Sequence, residues 1–388
     1  MVMRILGFEA WDAGSHRMVR QQLVRHGEAH WSWVTLGPGP WRWRQRMGMV
    51  ELVQLARDRE LLDQPWDCFV CTSLLAVGEL RGLLPEALRD VPIAMLVHEN
   101  QVAYPGGASG DEPRDLHAVV TDCTAMLAVD RVIFTSDWNR RSCMKGLHAM
   151  LSASPVHQCE RLLERIEARS CVIWPPVEDP RTANRVVHNL DLGGRAGSGP
   201  AASGTSPLIV WPHRHQHDKG PRALRALAAR YGTALNLRWL LLGERRGPTP
   251  AAMQRFRHEQ RDAIVHDGFC QDRAEYLGWL AAADWVCSTA KHEFFGIATV
   301  EALLMGCLPW LPNRLSYPEL LPEEAWGLHP GMAIDAATRQ MLLDAMKKHL
   351  EPALAPRATT RLEAELRTIV ATGPSGTSSS AQWAKSAL

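Results

Sequence analysis

Short apolar runs alternate with stretches of helical periodicity along most of this 388-residue chain. In the first half the runs are Arg4 to Phe8, Trp31 to Leu36, Cys68 to Ser73, Ile93 to His98, Arg131 to Ser136 and Cys171 to Trp174, with a helical pattern over Met18 to Arg25. The second half repeats the plan with Leu208 to Trp211, Leu237 to Gly243, Ile264 to Gly268, Asp284 to Ser288 and Cys307 to Leu311. That alternation predicts an α/β fold, a parallel sheet with helices on both faces in each half. Between the halves, 193–204 is rich in Gly, Ser and Ala, as a flexible linker or surface loop is. The expected organisation is an N-terminal Rossmann-like domain over 1–188, a linker or loop over 189–206 and a second Rossmann-like domain over 207–350. A C-terminal helix over 351–372 and a disordered tail over 373–388 complete it.

Composition narrows the classes. Hydrophobic residues make up 46% and charged residues 22%, and no apolar run approaches the ~20 residues that span a bilayer, so integral membrane association is not expected. The N-terminus runs into a strand pattern without the features of a secretion signal, which makes the cytoplasm the expected address. Nine cysteines lie mostly inside apolar runs and read as reduced, buried thiols. Cys68 and Cys71 form a C-x-x-C within a strand pattern and lack a second pair at zinc spacing, so no metal is expected there. A net charge of +1 gives no global attraction to nucleic acid, and such a partner requires a local patch.

Candidate chemistry gathers where strands end. The run 282–287 is apolar enough for a strand, and Gly296 to Leu304 reads as the first turns of a buried helix. The stretch Ser288 to Glu301, STAKHEFFGIATVE, is therefore a polar loop that opens a helix at the mouth of a sheet. The unpaired N–H groups of Phe294, Phe295 and Gly296 and the helix dipole favour a phosphate there. Glu293 stands at the rim and Glu301 a little over two turns inside, where carboxylates accept hydrogen bonds from sugar and ribose hydroxyls. The pattern suits a nucleotide-activated sugar. IVWPHRHQHDKG, from Ile209 to Gly220, brings Arg214 and Lys219 to the exit of the first strand of the second half, two cations able to hold a pyrophosphate without a metal. Gly243 and Gly268 end two further strands and are expected to bring backbone to the nucleotide.

In the first half, Ala13-Gly14-Ser15-His16 follows the first strand and opens a helix. Gly14 is the expected point of close approach to sugar or phosphate, with His16 on the acceptor side. His98-Glu99-Asn100-Gln101 follows the strand Ile93 to Val97. His98 is expected to meet the transferred sugar, and Glu99, Asn100 and Gln101 the acceptor. Trp41, Arg42, Trp43 and Arg44 interleave aromatics and guanidiniums without an acid, a pattern that stacks unpaired bases and binds phosphates of an RNA loop. Core tryptophans with surface arginines are the alternative. Arg140, Arg141 and Lys145 form a second acid-free basic stretch.

Taken together, WDAGSH, PWRWRQR, HENQVAYP, WPHRHQHDK and STAKHEFFG resemble the tRNA-queuosine alpha-mannosyltransferase family, over about Ile5 to Glu319. The E-x7-E spacing from Glu293 to Glu301 is similar to the donor motif of GT4-type retaining glycosyltransferases. The resemblance implies a GT-B fold, two Rossmann-like domains facing each other across a cleft, with the acceptor on the first domain and the donor on the second. It implies GDP-mannose as co-substrate, no metal or other cofactor, and a tRNA carrying queuosine as partner. Arg214, Lys219, Glu293 and His98 would form the catalytic group, with Glu293 and His98 on the mannose. Gly14, Gly243, the amides from Phe294 to Gly296 and Glu301 would complete the donor site, Glu301 on the ribose. Such enzymes need no protein base, because a phosphate oxygen of the leaving group takes the acceptor's proton. Two other readings stay open: the same fold acting on a lipid, a cell-wall glycan or another modified nucleoside, and a non-catalytic nucleotide-sugar or RNA-binding module. The joint presence of Arg214, Lys219, Glu293 and Glu301 speaks against the last.

Overall fold

Residues 1–103, 115–153, 159–182, 206–245 and 247–373 are described by a computed structural model. They fall into two units, one built from the chain up to Pro176 together with the segment from Ala355 on, the other from Val177–Leu354. The expected linker and tail lie almost wholly outside the described residues.

The first unit holds six parallel strands, β1 (Arg4–Glu9), β2 (His30–Thr35), β3 (Cys68–Thr72), β4 (Ile93–Val97), β5 (Arg131–Phe134) and β6 (Ser170–Val172), in the order β2-β1-β3-β4-β5-β6. The register sets Phe8 beside Cys71, Thr72 beside Leu96 and Val97 beside Phe134, so the ends of β1, β3 and β4 lie side by side. Every residue of β3 and β4 is buried, as strands covered by helices on both faces must be. Cys68 and Cys71 therefore sit inside β3, and burial raises both thiols far above the reactive range. The helices are α1 (Gly14–His26), α2 (Trp41–Asp58), the short α3 (Leu80–Leu83), α4 (Leu116–Ala128), α5 (Asp137–Ser152) and α6 (Cys159–Ala168). Asp115 and Ser136 cap α4 and α5 by accepting from the amides of Ala118 and Asn139.

The second unit holds five parallel strands, β7 (Leu208–Trp211), β8 (Arg238–Leu241), β9 (Ile264–Asp267), β10 (Trp285–Cys287) and β11 (Leu308–Trp310), in the order β11-β10-β7-β8-β9. Its helices are α7 (Pro221–Leu235), α8 (Ala251–Glu259), α9 (Arg273–Ala282), α10 (Ile297–Leu304) and α11 (Ala336–His349). The central position of β7 beside β10 puts the loops that leave these two strands next to each other. Such strand ends are where ligands of open parallel sheets bind.

The last helix, α12 (Ala355–Thr372), packs on α1 of the first unit. Its Glu363 is buried and accepts from the amides of Glu28 and Ala29 at 3.1 Å each and from Trp31 Nε1 at 2.9 Å. Those donors answer the charge that burial would otherwise leave stranded.

Candidate active site

The loop leaving β7 is fixed by its neighbour. Thr289 Oγ1 accepts from Trp211 Nε1 at 3.0 Å and donates to the Lys219 carbonyl at 2.9 Å. Gly220 has φ +68°, and a side-chain carbon there would lie 2.0 Å from the Thr289 carbonyl oxygen, so only glycine lets the two loops meet. Pro221 then starts α7. Gly243 leaves β8 equally tightly: an added carbon would stand 1.7 Å from the His213 carbonyl oxygen.

This packing carries Lys219 inward. It is 7% exposed, and its ammonium donates to the His292 carbonyl at 2.9 Å and pairs with Glu293 at 3.1 Å and Asp218 at 3.5 Å. Arg214 is half-buried and close enough that its charge and that of Lys219 add to burial in pushing His213 well below the usual histidine value and His292 down to about 3. Unlike Lys219, Arg214 has no acidic partner among the described residues. His213 is locked by Nε2 against Ser288 Oγ at 2.8 Å, and Ser288 meets the buried Tyr317 hydroxyl at 2.5 Å. Burial and then Arg257 drive His215 down to about 4. Its Nδ1 accepts from Arg257 at 2.6 Å, while its Nε2 is buried without a hydrogen-bond partner.

Phe294 and Phe295 are buried, and Gly296, with φ +96°, turns the chain into α10. Thr299, one turn along, buries its hydroxyl without a partner. Glu301 is 3% exposed and accepts from Arg273 Nη2 at 2.5 Å and Tyr276 OH at 3.0 Å. Its charge outweighs burial and holds Arg273 above the usual value. Sequence reasoning missed Arg273 and Tyr276; the available signal was a helix opening behind Asp272, whose carboxylate caps α9.

In the first unit, Gly14 begins α1 at φ +51° with open space around the position of a side chain. His16, in the same first turn, is buried against Glu9, and its ring lies 4.2 Å from that of His98 at the β4 exit. The four residues that follow β4 divide. His98, Glu99 and Gln101 are half-buried, whereas Asn100 is wholly buried. Asn100 Nδ2 donates to Asn139 Oδ1 at 2.7 Å, and its Oδ1 accepts from the Ala103 amide at 2.8 Å. Asn100 thus orders the loop from within, a correction to its expected place on the acceptor. The Gln101 amide donates to Asp122 at 3.0 Å, and burial raises that carboxyl to about 7.

The tryptophan-arginine stretch forms the first turn of α2. Trp43 is 62% exposed, and Trp41 is half-buried with Arg42 over its ring at 5.3 Å. Arg42 pairs with Asp115 at 3.3 Å, while Arg44 is drawn back onto Glu51 at 2.7 Å. The second basic stretch is not free of acids in the fold, because Arg140 and Arg141 both pair with Asp137.

Comparison with known proteins follows this geometry. Residues 4–177 match the family described as tRNA-queuosine alpha-mannosyltransferase N-terminal. The tRNA-queuosine alpha-mannosyltransferase of Drosophila melanogaster is 30% identical over 329 residues, covering 82% of either chain. The chain belongs to the tRNA-queuosine alpha-mannosyltransferase family. A GDP-mannose-dependent alpha-(1-6)-phosphatidylinositol dimannoside mannosyltransferase of Mycobacterium tuberculosis is 34% identical over 116 residues, 30% of this chain and 29% of that one. Among solved structures, apo OtsA has a TM-score of 0.63 at 12% identity over 95% of this chain and 99% of its own. Sucrose-phosphate synthase of Thermosynechococcus elongatus has 0.57 at 16% identity over 95% of each. The fold is that of the GT-B glycosyltransferases. No described helix is long and apolar enough to cross a membrane.

Proposed function

We propose that this protein moves mannose from GDP-mannose to the queuosine nucleoside of a tRNA anticodon loop, with retention at the anomeric carbon. The observation that carries the reading is the charge arrangement at the exits of β7 and β10. A buried Lys219 and an Arg214 without an acidic partner among the described residues share one place. A helix start with a free buried hydroxyl at Thr299 follows in the same loop system. Such a place suits the two negative charges of a diphosphate, and cations held before the reaction begins cost nothing to reorganise as the charge develops.

In the proposed reaction the bond between the anomeric carbon and the diphosphate oxygen breaks as Arg214, Lys219 and the amides near Gly296 take up the charge on the oxygens. The acceptor hydroxyl forms its bond to the same face of that carbon. Its proton passes to a leaving phosphate oxygen, so no protein base is consumed. Glu293, held by Lys219, and His98 meet the mannose hydroxyls. Glu301 meets the ribose, with Arg273 and Tyr276 fixing its carboxylate. Gly14 and Gly243 bring backbone near the donor. On the acceptor side the reading uses His16, Glu99, Gln101 and the exposed face of Trp41, Arg42, Trp43 and Arg44, where Trp43 offers a ring for an unpaired base.

The test is incubation with GDP-mannose, UDP-glucose or GDP-glucose, each with queuosine-containing tRNA, queuosine-free tRNA or a phosphatidylinositol mannoside. Release of GDP and a gain of one hexose on the queuosine-containing tRNA alone is the expected result. Transfer to the lipid and not to the tRNA overturns the acceptor, and transfer of glucose in preference to mannose overturns the donor.

A further inference from the structure

Glu9 closes β1, a strand whose residues Ile5 to Phe8 are apolar and buried, and is 1% exposed. A carboxylate there loses its hydration and must be answered by the protein. Three groups answer it: the Trp11 amide donates at 2.7 Å, Thr72 Oγ1 of β3 donates at 3.1 Å, and His16 Nδ1 of α1 lies 3.1 and 3.2 Å from its two oxygens. The His16 ring then leans on that of His98, centroids 4.2 Å apart and planes 37° from parallel. A continuous line of contacts therefore runs from the inside of the sheet, through Thr72, Glu9 and His16, to His98. The His98 ring also borders a cavity whose other lining is mainly apolar, including Val19, Leu96 and Ile173.

We infer that Glu9 is a positioning residue, fixing the ring of His16 and through it the ring of His98, the group proposed above to meet the transferred mannose. The inference rests on that reading of His98.

The charges agree with the geometry. Burial pulls His16 down, but Glu9, with Glu99 at the β4 exit and Asp12 in the loop before α1, outweighs it and leaves the histidine raised. Asp12 is itself shared with Arg17 and Arg20 of α1, so its part is small beside that of Glu9. Burial pushes Glu9 up, and His16, with smaller help from His98 and the Trp11 amide, more than reverses this. Burial and the charge of His16 together drive His98 down to about 3. The line therefore runs from a carboxylate, through a histidine biased toward its charged form, to a neutral imidazole. A neutral His98 offers one nitrogen to donate and one to accept, which suits a sugar hydroxyl that does both.

The test compares E9Q, E9D and H98A in the full chain with GDP-mannose and the acceptor tRNA. Expected is a kcat for E9Q about a hundredfold below wild type at pH 7.5, the scale of loss when a reacting group is misplaced by an ångström. The loss is expected to persist at pH 5.5, because without the Glu9 charge burial holds His16 in its neutral form, and partial recovery is expected in E9D. Imidazole nitrogen NMR of the unaltered protein should show His16 titrating above the ordinary histidine value and His98 uncharged throughout pH 5 to 8. E9Q turning over like wild type while H98A is impaired overturns the positioning role alone. H98A turning over like wild type overturns both it and the reading of His98. Should E9Q fail to fold, the NMR titration decides, and a His16 that titrates at or below the ordinary value sinks the inference.

Discussion

The strand exits of the two units solve opposite electrostatic problems. At the exits of β1 and β4, acid and base are closed on each other: Glu9 is matched by His16, and His98 is kept neutral. At the exits of β7 and β10, one cation is left without an acidic contact, because Lys219 is paired with Glu293 and Asp218 while Arg214 has no acid among the described residues. Three histidines there, His213, His215 and His292, are buried in a form that avoids adding further charge. The difference teaches which ligand chemistry each place suits. A guanidinium without an acidic contact beside a buried ammonium fits a diphosphate, and a closed acid–base set with a neutral imidazole fits hydroxyls.

The largest expected effect comes from acid. A histidine whose value is depressed in the folded chain contributes its full stability above the ordinary value and loses it as the pH falls toward the depressed one, at about 1.4 kcal/mol per pH unit. With three such residues, the exits of β7 and β10 should lose on the order of 4 kcal/mol by pH 5.5. The β1 and β4 exits hold one such residue, His98, and should lose about a third as much, while the raised His16 keeps its contribution as the pH falls and loses it only on the alkaline side. Hydrogen exchange measured by mass spectrometry from pH 7.5 to 5.5, corrected for intrinsic rates, should show the second unit's loops opening first. Equal opening in both places breaks the comparison.

Next in size is K219A, for which steady-state kinetics should give a kcat roughly a hundredfold or more below wild type, as for loss of other preorganised charge-stabilising groups. An unchanged kcat would remove the diphosphate from this loop. E301Q should weaken the hydrogen bond accepted from a ribose hydroxyl by about 1.5–3 kcal/mol, seen chiefly as a donor KM raised tenfold or more. Smallest is W43A, expected to cost about 1 kcal/mol of base stacking. It should raise the KM for tRNA several-fold and leave hydrolysis of the donor without acceptor unchanged. A change in both would mean that the two substrates are not divided between the units as proposed.

Much of this was legible in the sequence, for identifiable reasons. The eleven described strands all fall on the apolar runs of the pattern, most clearly β3, β4, β7 and β10, which are buried throughout, and least clearly β2, β6 and β9, which are partly exposed and carry polar residues. Lys219 and Glu293 were legible as loop residues next to strand ends, although their mutual ion pair was not. Asn100 misled because a polar side chain beside His98 and Glu99 looks like a ligand group, while its partner Asn139 is 39 residues away and invisible to local pattern. Arg273 and Tyr276 escaped for the same reason: they reach Glu301 only once α9 and α10 are side by side. The periodicity of 351–372 announced a helix and gave no hint of which surface it covers, because an amphipathic stripe names no partner.

That surface carries a consequence for how the chain is made. Since α12 lies on α1, a ribosome must deliver all of Val177–Leu354 before the covering for the earliest helix exists. The second unit has its whole sequence in hand while the first still waits with the Glu28 and Ala29 amides and the Trp31 indole unanswered. A nascent chain stalled just short of Ala355 thus still leaves the α12-facing side of α1 open to chaperones and proteases.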